Sequence, residues 1–339
     1  MKRVDIQVNK EQTQRVSSSP TIITDNTSIF NLYTHTSDKN LLDKYNNGKP
    51  FTKDDLISLY DIYNIGRIIG QDKEALVDIK KDREIVNDMS IIFDCSPNEI
   101  TTSQEDLDQE PDRYVVFIGT FASKKFVKNY SRLRYITGHY LQHRYNDFSI
   151  FPSLEIIGGS ASFEIVLSVE GLKSLKSIGG PAFFTNLKDA QSLSNLEIIG
   201  GSALFDSLKD SAGLNNLKYI SGDAHFTGLE DATGLNNLKS IGGSAYFNSL
   251  IYSKGLDSLT EIGRYGFDRD ARFFSLVEAS HLSNLAYIGG DAYFDSLQSI
   301  EGLDKLFVQG YYYFPDLSQN KQETIKRRIR TKHKIVKTV

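Results

Sequence analysis

Apolar residues recur through the second half of the chain with a fixed period of 21 residues. Each copy reads leucine, two variable residues, isoleucine and two glycines, followed by alanine and phenylalanine two positions apart. One step, from Leu259 to Leu285, is 26 residues long. A fixed period of this length predicts a solenoid in which each copy forms one coil stacked on the previous coil. The leucines that open the copies are Leu133, Leu154, Leu175, Leu196, Leu217, Leu238, Leu259, Leu285 and Leu306.

The alanine and phenylalanine of each copy share one face of a predicted strand, because successive strand side chains point to opposite faces. Strands of stacked coils lie parallel and about 4.8 Å apart, so these residues form two inward ladders. The glycine pair before the strand suits a corner with positive φ or close backbone approach. The inward pairs are Ala161/Phe163, Ala182/Phe184, Ala203/Phe205, Ala224/Phe226, Ala245/Phe247, Ala271/Phe273 and Ala292/Phe294.

The residue between alanine and phenylalanine points outward and changes from copy to copy. Aromatic and arginine side chains within a polar surround are typical of interface anchors. We therefore predict that this face binds a macromolecular partner. Two alternatives are that the face packs against the N-terminal region or a second copy, and that large side chains only cover the backbone. The candidates in this column are Phe183, Leu204, His225, Tyr246, Arg272 and Tyr293.

The longer coil carries an insertion near Tyr265–Arg269. Insertions in solenoids form loops, often on the functional face. Aromatic and basic groups crowd here, and Tyr265, Phe267 and Phe274 join Arg272 as predicted partner-binding residues. A tolerated surface loop is the alternative interpretation.

The repeat resembles the leucine-rich-repeat superfamily, in the style of receptor L domains and of bacterial and phage proteins with an "IGG" phrase. The resemblance covers Leu133 to Leu317. It implies an α/β repeat solenoid with a parallel sheet and one strand per 21-residue coil, and we predict a small helical region on its N-terminal side. The asparagine of the family's turn is replaced by leucine at 187, 208, 229, 250, 276 and 297. Its ladder is therefore expected to be absent, and a straighter β-solenoid is the alternative.

The two ends of the chain differ from the repeats. Thr52 with Asp55, and Ser96 with Glu99, resemble capping boxes and predict helix starts. The helical segment caps the solenoid or forms a separate interaction domain. The predicted domains are a polar arm at 1–40, a helical region or cap at 41–125, a solenoid of about eight to nine coils at 126–317, and a basic cap or tail at 318–339.

Composition and charge narrow the setting. The chain has 339 residues, 40% hydrophobic and 24% charged, which is typical of a globular protein. It lacks a long apolar run and a secretory signal, so we expect no membrane insertion. A single cysteine, Cys95, favours the cytoplasm, with surface or virion association as the alternative. Residues 325–339 hold seven basic residues and no acid, so nucleic acid is a weaker alternative to a protein partner.

No sequence motif predicts catalysis. His139 and His143 have helical spacing without the glutamate of a zinc protease motif, so no metal or cofactor is expected. Asp270 and Asp291 fall in adjacent coils, where a carboxylate pair for glycoside hydrolysis fits geometrically. We expect a non-catalytic protein-binding or scaffolding module of undetermined oligomeric state. The alternatives are a structural subunit of a phage or cell-surface assembly and, ranked below it, a carbohydrate-processing β-helix.

Overall fold

The computed structural model describes residues 38–62, 76–122, 129–141, 150–164, 169–264, 269–322 and 330–331. Most of the predicted N-terminal arm, most of the basic tail, and His143 lie outside these residues. So do Tyr265 and Phe267 in the inserted loop.

The described residues form a β-solenoid of parallel two-residue strands, which confirms the predicted fold class. Among the described residues, twelve strands form one sheet and eight form another. The twelve-stranded sheet contains β1 Ile100–Thr101, β2 Val116–Phe117, β3 Tyr135–Ile136, β4 Ile156–Ile157, β6 Ser177–Ile178, β8 Ile198–Ile199, β10 Tyr219–Ile220, β12 Ser240–Ile241, β14 Glu261–Ile262, β16 Tyr287–Ile288, β18 Phe307–Val308 and β20 Arg330–Thr331. The eight-stranded sheet contains β5 Ala161–Ser162, β7 Ala182–Phe183, β9 Ala203–Leu204, β11 Ala224–His225, β13 Ala245–Tyr246, β15 Ala271–Arg272, β17 Ala292–Tyr293 and β19 Tyr312–Tyr313.

Each full coil therefore has two strands, where the sequence predicted one. The predicted strand is present, with Ala182 paired to Ala203 and so on through the stack. The second strand precedes the glycine pair and ends in a buried isoleucine, such as Ile178 paired to Ile199. The glycine pair turns the chain between the two strands, so that both sheets supply side chains to one core.

The core is a continuous stack of phenylalanine rings, as the inward ladder predicts. Neighbouring rings are nearly parallel, with centroids 4.7 Å apart at the first contact and 5.3 Å at the last. The alanines beside them are fully buried. Close-packed contact of this kind makes each coil depend on the coils above and below it. The stacked residues are Phe163, Phe184, Phe205, Phe226, Phe247, Phe273, Phe294 and Phe314.

An asparagine ladder is present, at a different position from the one where the family places it. Asn195 donates from its side-chain amide to the Lys173 carbonyl at 2.6 Å, and Asn216 donates to the Ser194 carbonyl at 2.6 Å. Asn237 and Asn284 repeat this bond in later coils. Buried leucines occupy the turn positions where the family carries its asparagine, as expected, and this row of asparagines instead precedes the opening leucine.

The helical region packs against the outer face of the twelve-stranded sheet. Residues of its helices, such as Met89 and Phe93, share one buried cluster with Ile156 and Tyr219 of the sheet. The Phe93 and Tyr135 rings stack with centroids 5.1 Å apart. The region therefore lies along the side of the solenoid. Its helices are α1 Asp38–Asn46, α2 Lys53–Tyr60, α3 Val77–Lys81, α4 Ile85–Phe93 and α5 Gln104–Gln109.

Both predicted capping boxes are present. Thr52 accepts a bond from the Asp55 N–H, and the Asp55 carboxylate accepts one from the Thr52 N–H at 2.7 Å. Ser96 and Glu99 make the same reciprocal arrangement before a 3-10 turn. These local bonds fix where the helical segments begin.

The solenoid extends beyond the predicted boundaries of 126 and 317. Strands β1 and β2 pair with each other, and β2 pairs with β3, so the sheet begins at Ile100. At the other end, Arg330 pairs with Phe307 and adds a strand from within the basic segment. A helical segment begins at residue 319, just after Ser318. No helix in the described ranges has the length and apolarity needed to cross a membrane.

A row of ion pairs links neighbouring coils beside the twelve-stranded sheet. Glu155 binds Arg134 at 2.6 Å and Lys176 at 2.8 Å, and Lys218 binds Glu197 at 2.7 Å. Burial raises the pKa of the Glu155 carboxyl, but the bonds from Arg134 and Lys176 outweigh burial and hold the pKa below its usual value.

The substitution Glu155→Gln is therefore expected to reduce the free energy of unfolding by about 1–2 kcal/mol at pH 7. A depressed carboxyl pKa stabilises the folded state above the unfolded pKa of about 4.3, and this contribution disappears as pH falls through the folded pKa. Urea unfolding measures the difference in the free energy of unfolding between wild type and Glu155→Gln. This difference should be smaller at pH 3 than at pH 7. Glu230→Gln removes an exposed pair with Lys209 and should change stability by less than about 1 kcal/mol. An equal Glu155→Gln effect at both pH values would contradict the linkage.

Candidate functional site

The candidate site is the outer face of the eight-stranded sheet, where the sequence placed the variable column. Each strand there buries its alanine and leaves the next residue half-buried. Phe183, Leu204, His225, Tyr246, Arg272 and Tyr293 all occupy this outward position. The parallel register brings them into one continuous row, one residue per coil.

Four of these outward side chains, together with Tyr313 of the next coil, form a stack that we term the outer ladder. The His225 and Tyr246 rings have centroids 4.5 Å apart. The Arg272 guanidinium lies between two rings, 5.2 Å from the Tyr246 centroid and 5.6 Å from the Tyr293 centroid. Tyr293 and Tyr313 stack at 4.5 Å with their planes 2° apart. The outer ladder therefore consists of His225, Tyr246, Arg272, Tyr293 and Tyr313.

The other predicted residues flank the outer ladder. Phe183 and Leu204 continue the row toward the N-terminal coils. Phe274 packs edge-on against Tyr293, with centroids 6.0 Å apart and planes at 80°. Tyr265 and Phe267 of the inserted loop are outside the described residues, so the structure does not place them relative to this surface.

A row of serine and aspartate side chains borders the outer ladder and bonds successive coils together. Asp223 accepts a bond from the Ser244 N–H at 2.7 Å, and Ser244 accepts one from the Asp270 N–H at 3.2 Å. Asp270 then accepts from the Asp291 N–H at 3.0 Å, and Asp291 from the Tyr311 N–H at 2.7 Å. These residues join the corners of neighbouring coils.

The second oxygens of Asp270 and Asp291 face the outer ladder. Asp270 binds the Arg272 guanidinium and Asp291 accepts from the Tyr293 hydroxyl, both at 3.3 Å. Asp223 is bonded to Arg269 at 3.3 Å. Each carboxylate therefore has a structural role, and Asp270 and Asp291 sit in the coil-to-coil hydrogen-bond row.

Tyr293 and Tyr313 of the outer ladder have a raised pKa and stay protonated over a wide pH range. Burial, followed by the charges of Asp291 and Asp270, raises the pKa of Tyr293. Burial and Asp291 likewise raise the pKa of Tyr313. Their hydroxyl groups therefore remain hydrogen-bond donors, and the surface carries neutral phenols beside charged guanidinium groups.

The geometry restricts what this surface can bind. The side chains in the middle of the outer ladder, Tyr246, Arg272 and Tyr293, have both flat faces covered by their neighbours. A partner therefore meets ring edges, hydroxyl groups and the edge of the Arg272 guanidinium. Binding of nucleic-acid bases uses open ring faces. Phosphate backbones need excess positive charge, whereas Asp223, Asp270 and Asp291 offset Arg269 and Arg272 here. The surface therefore presents ring edges, hydroxyl groups and a rim in which positive and negative charges are balanced.

Two features of this site were missed by the sequence reasoning. Tyr313 belongs to the outer ladder, but its coil reads Tyr-Tyr-Phe and lacks the alanine that marks the other strands. The Ser/Asp row was visible as a column before alanine, and its recurrent serine and aspartate were the available signal. The sequence places Asp270 and Asp291 in adjacent coils, as a carboxylate pair requires, and in the structure both accept backbone hydrogen bonds.

No protein-family model, curated protein or solved structure matches this chain. Across the described ranges, no group of three or more histidine, cysteine, aspartate or glutamate side chains is arranged to hold a metal ion. His139, one of the two histidines with helical spacing, uses its Nδ1 to accept the Ser160 N–H at 2.9 Å.

Proposed function

We propose that the protein is a non-catalytic binding or scaffolding module that recognises another protein through the outer face of the eight-stranded sheet. The observation that carries this proposal is the outer ladder. It aligns aromatic rings and a guanidinium in a half-exposed row on a rigid scaffold. The core positions of the same coils keep their residue type while this row varies.

The composition of the outer ladder supports the proposal. Tyrosine and arginine are enriched among the residues that contribute most to protein interfaces. Stacking immobilises these side chains before a partner arrives, which reduces the entropy lost on binding. Arg272 donates to Asp270, while its buried Nε has no hydrogen-bond partner among the described residues. Its central place in the stack makes it the expected anchor.

The wider features of the chain are consistent with this proposal. The resemblance of the repeat to leucine-rich repeats supports the proposal, because such solenoids bind their partners through extended sheet surfaces. Half-buried Cys95 is a free thiol, which suits a reducing, cytoplasmic compartment. The involvement of Asp270 and Asp291 in coil-to-coil bonds supports a binding role over hydrolysis.

Affinity capture tests the proposal with the double substitution Tyr246→Ser/Tyr293→Ser. The protein retained by the wild-type chain should bind the variant about 30-fold or more weakly, because two anchors are lost. Tyr287→Ser is the matched control, since Tyr287 is also half-buried and stacks on Phe307 in the other sheet. Equal retention by wild type and the double variant, with both folded, would refute the proposal.

A further inference from the structure

The third side of the coil, between the two sheets, carries two columns of mainly charged residues, which are exposed in the first four coils below and half-buried in the fifth. The residues of the two columns come directly after the buried leucines at 187, 208, 229, 250 and 276. Backbone bridges Asp210↔Asp231 and Tyr252↔Glu278 show that the coils stay in register there. In coil order, the first column contains Lys188, Lys209, Glu230, Ile251 and Val277, and the second contains Asp189, Asp210, Asp231, Tyr252 and Glu278.

The acidic residues of the second column stabilise the turn that follows them. Asp189 accepts a bond from the N–H two residues ahead at 2.8 Å, and Asp210 and Asp231 repeat this bond at the same distance. Glu278 does so at 2.6 Å. A short acidic side chain is therefore the residue that the fold favours at this position.

Tyr252 departs from that column. Its ring places no carboxylate beside the N–H of Lys254, so the turn loses the acceptor that the other coils provide. Tyr252 is 61% exposed, the largest exposure among the large apolar side chains in the described residues, and its neighbour Ile251 is 44% exposed. Half-buried Val277 follows in the next coil. The Tyr252 side chain therefore supplies neither the acceptor that the turn uses in the other coils nor a buried contact.

Carboxylates flank this apolar patch on both sides. Asp231 precedes Tyr252 in the column and Glu278 follows it, and each is engaged by a backbone N–H. The neighbouring cation Lys209 is already bound to Glu230. Lys254, two residues after Tyr252, is an exposed cation. With Glu230 paired to Lys209, the two carboxylates still outnumber this one cation, which complements a segment with an apolar side chain next to lysine or arginine.

We infer that Ile251, Tyr252 and Val277 form a second docking surface, for a short basic and apolar segment of another protein. Three side chains offer far less than the about 800 Å² per partner of a standard interface, so the occupant is a short segment. A symmetric contact with a second copy would bring the Asp231 and Glu278 carboxylates of both copies close together, and their like charges would repel. The patch lies on a different side of the coil from the outer ladder and does not depend on it.

The experiment is a selection from phage-displayed random short peptides on the immobilised full-length protein. Peptides that pair an apolar residue with lysine or arginine should be enriched. Tyr252→Asp restores the column's acid, so its melting temperature should equal or exceed that of wild type while the affinity for selected peptides falls at least about 10-fold. Ile251→Lys, which copies Lys188 and Lys209, should weaken the same peptides. Tyr246→Ser should leave their binding unchanged.

Several outcomes would overturn the inference. These are a selection without enrichment, enrichment of acidic peptides, and equal binding of the selected peptides to wild type and Tyr252→Asp. A concentration-dependent dimer that sediments as such for wild type and dissociates in Tyr252→Asp would instead identify a second copy as the occupant, which also contradicts it.

Discussion

Replacing Phe247 by alanine is expected to lower the free energy of unfolding by about 3–5 kcal/mol. Phe247 is fully buried and stacks on Phe226 and Phe273, with centroids 5.4 and 5.3 Å away. Its removal leaves a cavity in the middle of the ring stack and breaks the contact between coils on either side. The neighbouring rings cannot close this gap, because the strand pairing fixes their spacing.

The adjacent substitution Tyr246→Ala is the matched control. Tyr246 belongs to the same strand but points outward, half-buried, so the expected loss is about 1 kcal/mol, from its stacking with His225 and Arg272. Urea unfolding of both variants, followed by circular dichroism, measures the difference. Comparable losses would contradict the assignment of inward and outward faces.

The substitution Gly255→Ala is expected to cost about 3 kcal/mol or more. Gly255 has φ of +96°, a conformation that L-residues rarely adopt. An added Cβ would lie 1.9 Å from the carbonyl oxygen of Ala232 in the preceding coil. That oxygen belongs to the backbone, so relief of the clash requires the coils to separate.

Gly48→Ala separates the cost of positive φ from the cost of the clash between coils. Gly48 also has positive φ, +62°, but no atom lies within 4 Å of its added Cβ. The expected loss is about 1–2 kcal/mol from backbone strain alone. Thermal unfolding of both variants should rank Gly255→Ala as clearly the more damaging. The reverse order would show that coil spacing is not what requires glycine at position 255.

The solenoid could be predicted because its signal repeats. Ala-x-Phe recurs with strand spacing, and both residues are buried in coil after coil, as at Ala245 and Phe247. The capping box at Thr52 was equally visible, because its partners lie three residues apart. Local spacing and repetition are properties of the sequence itself.

The missed features depend on contacts between distant residues. Strands such as Ser177–Ile178 are two residues long, too short for an alternating pattern. The asparagine ladder could not be recognised until the structure placed Asn195 beside the Lys173 carbonyl. Likewise, the helix that contains Met89 packs along the side of the solenoid because its buried face complements the sheet, a contact between segments that are distant in sequence.

The sequence predicted the candidate site as a column of outward residues. The stacking of these residues on one another was found only in the structure. The sequence placed Tyr246, Arg272 and Tyr293 on one face, and the register brings them into contact. Arg272 between two rings is a tertiary arrangement that spacing alone did not indicate. Tyr252 interrupts an otherwise acidic column, which is visible in the sequence. The structure gives the reason for the acids, because their side chains accept hydrogen bonds from the following turn.

Hydroxyl-radical footprinting of the complex with the captured protein tests the central claim most directly. Binding is predicted to protect His225, Tyr246, Tyr293 and Phe274 at the outer face of the eight-stranded sheet, while Tyr287 on the other sheet keeps its reactivity. Protection of Tyr287 or of the helical region, with unchanged reactivity along the outer ladder, would contradict the claim that this face recognises the partner.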